Sequence, residues 1–254
     1  MPDYLNTFFF GIYPYIALAV MILGSIIRYD REPYSWRSQS SQFLRKRQLM
    51  WGSNLFHIGI LFLFFGHFVG LLTPHSIYHH VISVENKQLL AIIAGSIAGI
   101  ICFIGLSLLV HRRLTDPRIR KTSTGMDIAI LLILWVQLAL GLATVPFSLS
   151  HSDGEVMLRL SEWAQRIVTF RIEGTPQLVQ GLDWPYQVHL ILGLTIFLLF
   201  PFSRLVHIWS APVKYLARPG YQVVRTTIPD HPGGQATRPA GSVPSAGHPA
   251  EAVE

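Results

Sequence analysis

Long apolar runs separated by short charged stretches set the plan of this chain. Five runs approach the roughly 20 residues that a helix needs to cross a bilayer: Leu5–Ile27, Met50–Leu72, Leu89–Val110, Ile128–Val145 and Val188–Ile208. Asp127 stands where an acidic cap would start the fourth. Between the fourth and fifth runs, Glu155–Phe170 changes period: Val156, Leu160, Trp163 and Ile167 recur at helical spacing with polar residues between them. This predicts an amphipathic helix, either lying in the membrane surface or packed on the bundle as a loop helix. The pattern therefore predicts an all-α membrane protein, a bundle of five transmembrane helices over residues 1–218. The stretch 219–254 is rich in Pro, Gly, Ala and Ser and is expected to be a disordered cytoplasmic tail. No internal repeat is present.

Composition agrees: half of the 254 residues are apolar and only 13% are charged. The start, MPDYLNTFFF, carries Asp3 and no Lys or Arg, unlike a signal peptide, so the first run is expected to be retained. Arg28, Arg31, Arg37, Arg45, Lys46 and Arg47 follow it, and Arg112, Arg113, Arg118, Arg120 and Lys121 follow the third. The second connection holds only Lys87, and in the fourth acidic residues outnumber basic ones. The positive-inside rule then places the N-terminus outside and the C-terminus in the cytoplasm. The net charge of +6 reflects this topology and anionic lipid headgroups, not nucleic acid. A single cysteine, Cys102, lies within the third run and is read as a packing residue. One cysteine excludes an intrachain disulfide and supports no iron–sulfur cluster. The absence of C-x-x-C-H excludes covalent haem attachment.

Four histidines interrupt the apolar runs: His57 and His67 in the second, His189 and His207 in the fifth. Ionisable groups are costly in a bilayer and mark function there. The two helices run antiparallel, so His67 is paired with His189 toward the outside and His57 with His207 toward the cytoplasm. Two pairs suit two metal centres, and without clustered carboxylates they point to two stacked b-type haems. Ten residues separate the first two histidines, a rise of about 15 Å with about 80° of rotation. Eighteen separate the other two, about 27 Å on one face. The rises differ, and Pro201 should kink the fifth helix between its ligands. Gly59, Gly66, Gly70 and Gly193 flank the histidines and serve either a macrocycle or close helix packing. Arg204, Arg37, Arg112 and Arg113 are candidates for haem propionates, or topology anchors. His75, His79 and His80 are read as solvated loop residues, and His111 as an interface residue.

Several segments resemble one family: FFFGIYPYIA near the start, RYD at Arg28–Asp30, SNLFHIGIL, GHF, LTPH, TGMDI and LLFPFSRLVHIWSAPV. The chain is similar, from Met1 to about Arg225, to the gamma subunits of membrane-bound respiratory nitrate reductase, the dihaem cytochrome b subunits. The resemblance implies haem ligands at His57, His67, His189 and His207, paired as the topology pairs them. It implies a quinol pocket beside the outer haem that includes Gly66, His67 and Lys87; without it, Lys87 would read as a snorkelling lysine. It also implies quinol oxidation near the outer face with protons released outside. Electrons would pass through both haems to a cytoplasmic iron–sulfur beta subunit and on to a molybdenum alpha subunit that reduces nitrate, in a bacterial inner membrane. Neither iron–sulfur nor molybdenum would belong to this chain. Related cytochromes that serve sulfur-metabolising or heterodisulfide-type complexes share the architecture. A haem-free anchor would not need histidines at four depths, and a transporter would show repeats or matched helix interruptions.

Overall fold

The computed structural model describes residues 3–36, 44–150 and 153–210. Among them every regular element is helical, and five helices are long and apolar enough to cross a membrane. We label α1 (Asp3–Arg31), α2 (Lys46–Leu72), α3 (Val84–Thr115), α4 (Gly125–Ser150), the shorter α5 (Glu155–Val168) and α6 (Trp184–Leu199). The expected tail, 219–254, lies outside the described residues.

Helices α1, α3 and α4 overrun their apolar cores into polar residues at both ends, and α2 does so at its start, beyond where hydropathy places them. Ser83 caps α3 by accepting from the Asn86 N–H at 3.3 Å. At its other end Asp116 accepts from Arg118 and Ile119, which turns the chain. Within α1, Phe8–Ile12 forms a π-helical turn. Pro14 has no N–H to offer the Phe10 carbonyl four residues back. The Trp163 indole donates to that carbonyl instead, at 2.9 Å.

Helix α2 packs closely on α3, and the contact is made of small residues. A Cβ on Gly59 would lie 2.6 Å from the Cys102 Cβ, and one on Gly105 would lie 2.4 Å from the Phe56 nitrogen. Gly59 therefore serves helix packing, not a cofactor, and fully buried Cys102 is part of the same seam. Helix α4 packs on α3 and α6, and α6 on α1. Phe62, Phe64 and Phe65 of α2 and Ile22, Leu23, Ile26 and Ile27 of α1 are exposed, as lipid-facing side chains would be. The amphipathic segment is packed on the bundle. Its Trp163, Ala164 and Ile167 join a core with Phe10, Ala17 and Leu194, and Gln165 donates to the Leu71 and Thr73 carbonyls at the end of α2.

The fifth span departs from the expected single helix over Val188–Ile208. Helix α6 stops at Leu199, a 3-10 turn covers Phe200–Phe202, Ser203 is extended, and a second 3-10 segment runs Arg204–Ser210. Pro201 breaks the helix instead of kinking it. His207 thus sits on a separate piece of chain, and the unequal rises predicted for the two ligand pairs need not be matched along one axis.

Candidate haem sites in the bundle

The structure brings the four membrane histidines together in two pairs. The His57 and His207 rings have centroids 6.5 Å apart and planes 70° apart. Those of His67 and His189 are 6.4 Å and 36° apart. His57 and His207 lie at the end of the bundle that carries Arg28, Arg113 and Arg204, called here the basic end. His67 and His189 lie toward the end covered by α5, the loop end.

Every one of the four rings is held in the same way. Nδ1 of His57 donates to the Ser53 carbonyl at 2.7 Å, and that of His67 to the Leu63 carbonyl at 2.7 Å. Nδ1 of His189 donates to the Gln137 carbonyl at 3.1 Å, and that of His207 to the Arg204 carbonyl at 2.6 Å. A carbonyl only accepts, so each Nδ1 bears the proton and each Nε2 carries the lone pair that could bind a metal; at His189 that lone pair accepts from the Gln137 amide at 3.4 Å. A metal bound by two imidazoles at about 2.0 Å would set the ring centres about 6.3 Å apart, close to both observed separations. Among the described residues no third His, Cys, Asp or Glu joins either pair to complete a metal site. Two axial ligands suffice only for a metal that brings its own equatorial donors, as haem does. Cβ atoms on Gly66 and Gly70 would meet nothing within 4 Å, so no protein atom fills the space beside them.

Other predicted residues fall elsewhere. Arg204 Nε donates to Asp127 Oδ1 at 2.9 Å, and Asp127 also accepts from the Thr124 N–H. Arg112 is buried and donates to the Leu44 carbonyl at 2.6 Å, while Arg113 donates to Ser123 Oγ at 2.7 Å. Each of these arginines has a protein partner, and Arg37 lies outside the described residues. His75, His79 and His80 are exposed, and His111 meets Gln48 at 3.1 Å.

Lys87 is buried, and its ammonium lies 3.6 Å from the centroid of the Tyr78 ring. Its Nζ has no hydrogen-bond partner among the described residues. Burial pushes the Tyr78 phenol above its usual range, and its ring presents a π face to the cation. Three residues in contact with Lys87 or His189 escape a reading of the sequence. Tyr78 was hidden in a loop motif. Gly141 admits the His189 ring to α4, since a Cβ there would lie 2.9 Å from Cε1. The Gln137 amide donates to the His189 carbonyl at 3.0 Å and lies 3.4 Å from His189 Nε2. A lone amide in an apolar span was the signal available for it.

Residues 6–227 match the family described as nitrate reductase gamma subunit. The chain is 54% identical over 223 residues to respiratory nitrate reductase 1 gamma chain of Escherichia coli (strain K12), covering 88% of this chain and 98% of that one. It is 53% identical to respiratory nitrate reductase 2 gamma chain of the same strain, over 89% of this chain and 99% of that one. To the nitrate reductase gamma chain of Bacillus subtilis (strain 168) it is 39% identical, over 85% and 96%.

Proposed function

The chain belongs to the nitrate reductase gamma subunit family, and from that premise we propose that it is the quinol-oxidising cytochrome b subunit of a respiratory nitrate reductase. His57 and His207 hold one haem b, and His67 and His189 hold the other. The basic end faces the cytoplasm of a bacterial inner membrane, where an iron–sulfur beta subunit and a molybdenum alpha subunit dock. When bound, the haems supply the one-electron steps that link a quinol at the loop end to nitrate reduction by those partners.

The chain's own residues do the rest. Four backbone carbonyls hold the Nδ1 protons and leave each Nε2 to face its partner histidine's ring. Lys87 keeps its N–H donors unspent in an apolar setting, where a hydrogen bond to a quinol oxygen offsets the cost of burial. Gly66 leaves room beside His67 for that guest. A quinol bound there gives up its protons at the outer face. Helix α5 packs on the bundle at the end of α2, beside the quinol site proposed here. Arg204, Arg112 and Arg37 are the candidates to meet propionates at the basic end, with Arg204 sharing its charge with Asp127.

The observation that carries this reading is the pair of ring separations, 6.5 and 6.4 Å, with all four Nδ1 atoms engaged by carbonyls. Reduced-minus-oxidised spectra under redox titration, on the complex and on its His57→Ala and His67→Ala variants, test it. Two b-type components are expected, with each variant losing its own. A fully assembled complex without haem absorbance would refute the proposal. Quinol protons appearing on the cytoplasmic side would refute the placement of the pocket.

A further inference from the structure

The break in the fifth span leaves the chain that carries His207 outside any long helix, yet His207 is as closely engaged as its three counterparts. The residues around Ser203 account for this. Helix α6 ends before Pro201, and Ser203 is extended with φ −115° and ψ 179°. The Pro201 carbonyl lies near the end of the first 3-10 turn and loses the partner a continuous helix would supply, and the Ser203 carbonyl opens the second segment. Arg28, at the end of α1, donates to both. Its Nη1 donates to the Pro201 carbonyl at 2.7 Å and to the Ser203 carbonyl at 2.8 Å. The guanidinium is itself held from the other side, with Nε on Ser35 Oγ and Nη2 on the Ser35 carbonyl, each at 3.1 Å. Ser35 Oγ in turn donates to the Glu32 carbonyl at 2.8 Å. One turn earlier on α1, Gly24 admits the proline ring: a Cβ there would lie 2.8 Å from Pro201 Cγ.

The next residue of the strap is tied to another helix. Arg204 pairs with Asp127 of α4, and the Arg204 carbonyl accepts from His207 Nδ1. Arg28 and Asp127 thus grip consecutive residues, Ser203 and Arg204, immediately before the carbonyl that orients the ring.

We propose that Arg28 is a positioning residue for the basic-end haem: by capping the Pro201 and Ser203 carbonyls it sets the helix break that brings His207 opposite His57. This gives Arg28 a role beyond that of a topology anchor. A planar guanidinium with five donors in a fixed fork suits it, because its acceptors lie on two chain segments at once. The proposal rests on the assignment of His57 and His207 as haem ligands.

The test uses the whole complex in membranes, with Arg28→Met, Arg28→Lys and Ser35→Ala. Redox titration of the optical spectrum and the ferric electron paramagnetic resonance signals resolve the two haems. Arg28→Met is expected to shift or abolish the basic-end component while the loop-end component keeps its amplitude and midpoint. Quinol-dependent nitrate reduction should fall roughly 10-fold or more, as for loss of an outer-shell partner. Nitrate reduction from a soluble viologen donor should hold, which reports assembly of the partners. Arg28→Lys is expected to restore part of the native signal, since an ammonium reaches the two carbonyls without the fork that also engages Ser35. An unchanged basic-end component in Arg28→Met overturns the proposal, and so does equal loss of both components. If Arg28→Met fails to assemble, Ser35→Ala decides: a shift confined to the basic-end component supports the proposal, and no shift overturns it. A native complex lacking two components would instead refute the haem assignment, leaving the two failures distinguishable.

Discussion

The two histidine pairs are alike in separation and unlike in everything that surrounds them. At the basic end, polar side chains are committed to protein partners: Arg28 to backbone carbonyls, Arg204 to Asp127, Arg113 to Ser123. His207 rides on a short segment that depends on those contacts. At the loop end, His67 and His189 both stand on continuous helices, with His189 also tied to α4 through Gln137. There the cation, Lys87, is buried with its hydrogen bonds unmade among the described residues. Polar satisfaction is what a site designed only to hold and pass electrons requires. An unsatisfied buried donor is what a site keeps when a guest must enter and leave. On the proposed function, the contrast suits electron exit at the basic end and substrate at the loop end.

The largest test of that contrast exchanges one ligand at each end. His207→Ala should remove the basic-end component and reduce quinol-dependent nitrate reduction to background, yet leave quinol binding intact. A quinol-analogue inhibitor would therefore still perturb the loop-end component. His189→Ala should remove the loop-end component and that perturbation with it. If the inhibitor instead followed His207, the assignment of the two ends would be reversed. The two signals should also differ in kind: ligand planes at 70° against 36° give the basic-end ferric centre the more anisotropic low-spin resonance.

Lys87→Met comes next. A charge-assisted hydrogen bond is worth roughly 1.5–3 kcal/mol, so quinol oxidation should fall about 10- to 100-fold in steady-state assays. Both haem components should remain. Stability should not fall with activity: removing a buried ammonium with no hydrogen-bond partner relieves a desolvation cost, which offsets the lost cation–π contact with Tyr78, so the midpoint of thermal inactivation is expected to hold or rise. A loss of activity with a matching loss of stability would mean that Lys87 is structural.

These tests rely on features of unequal legibility. The five spans were readable because bilayer thickness imposes a length that few other contexts demand, and the histidine pairing followed from antiparallel order alone. The break at Ser203 was not readable. Pro201 signals a kink or a stop equally well, and which occurs depends on whether Gly24 and Arg28 are at hand to receive the freed backbone. Arg28 itself sits where any span-ending arginine would sit. The glycines divide for a similar reason. Gly59 and Gly66 are each two or fewer residues from a histidine, and only what each faces, Cys102 or open space, separates the two. Lys87 was noticeable as the lone base of its loop, but its lack of a hydrogen-bond partner is a property of three-dimensional surroundings.

That division of the glycines supplies a smaller test. Gly59→Ala forces a Cβ to within 2.6 Å of Cys102, and overpacking of this kind costs about 1–3 kcal/mol. Thermal inactivation should occur at lower temperature, with both haem components affected alike. Gly66→Ala meets no protein atom within 4 Å. Its effect should leave stability unchanged and fall on the loop-end component and quinol affinity. Equal destabilisation by the two substitutions would show that Gly66 also packs against protein.

The smallest expected effect falls on Gln137, and there two terms oppose each other. Its amide N–H bond to the His189 carbonyl at 3.0 Å is worth roughly 0.5–1.5 kcal/mol. Its Oε1 is buried without a hydrogen-bond partner, a cost of similar size. Gln137→Leu removes both, so stability should change little. The bond that orients the ring, from His189 Nδ1 to the Gln137 backbone carbonyl, survives the substitution, so the haem should be retained. What disappears is an amide dipole 3.4 Å from the His189 nitrogen assigned to the metal. In this low-dielectric setting a fixed dipole acts on the metal's charge. A shift of the loop-end midpoint in redox titration, at unchanged basic-end midpoint and unchanged stability, is the expected result. Equal shifts at both haems would mean that Gln137 acts through the helix it shares with Asp127 and not through His189, and the separation of the two ends would be weaker than their hydrogen bonds suggest.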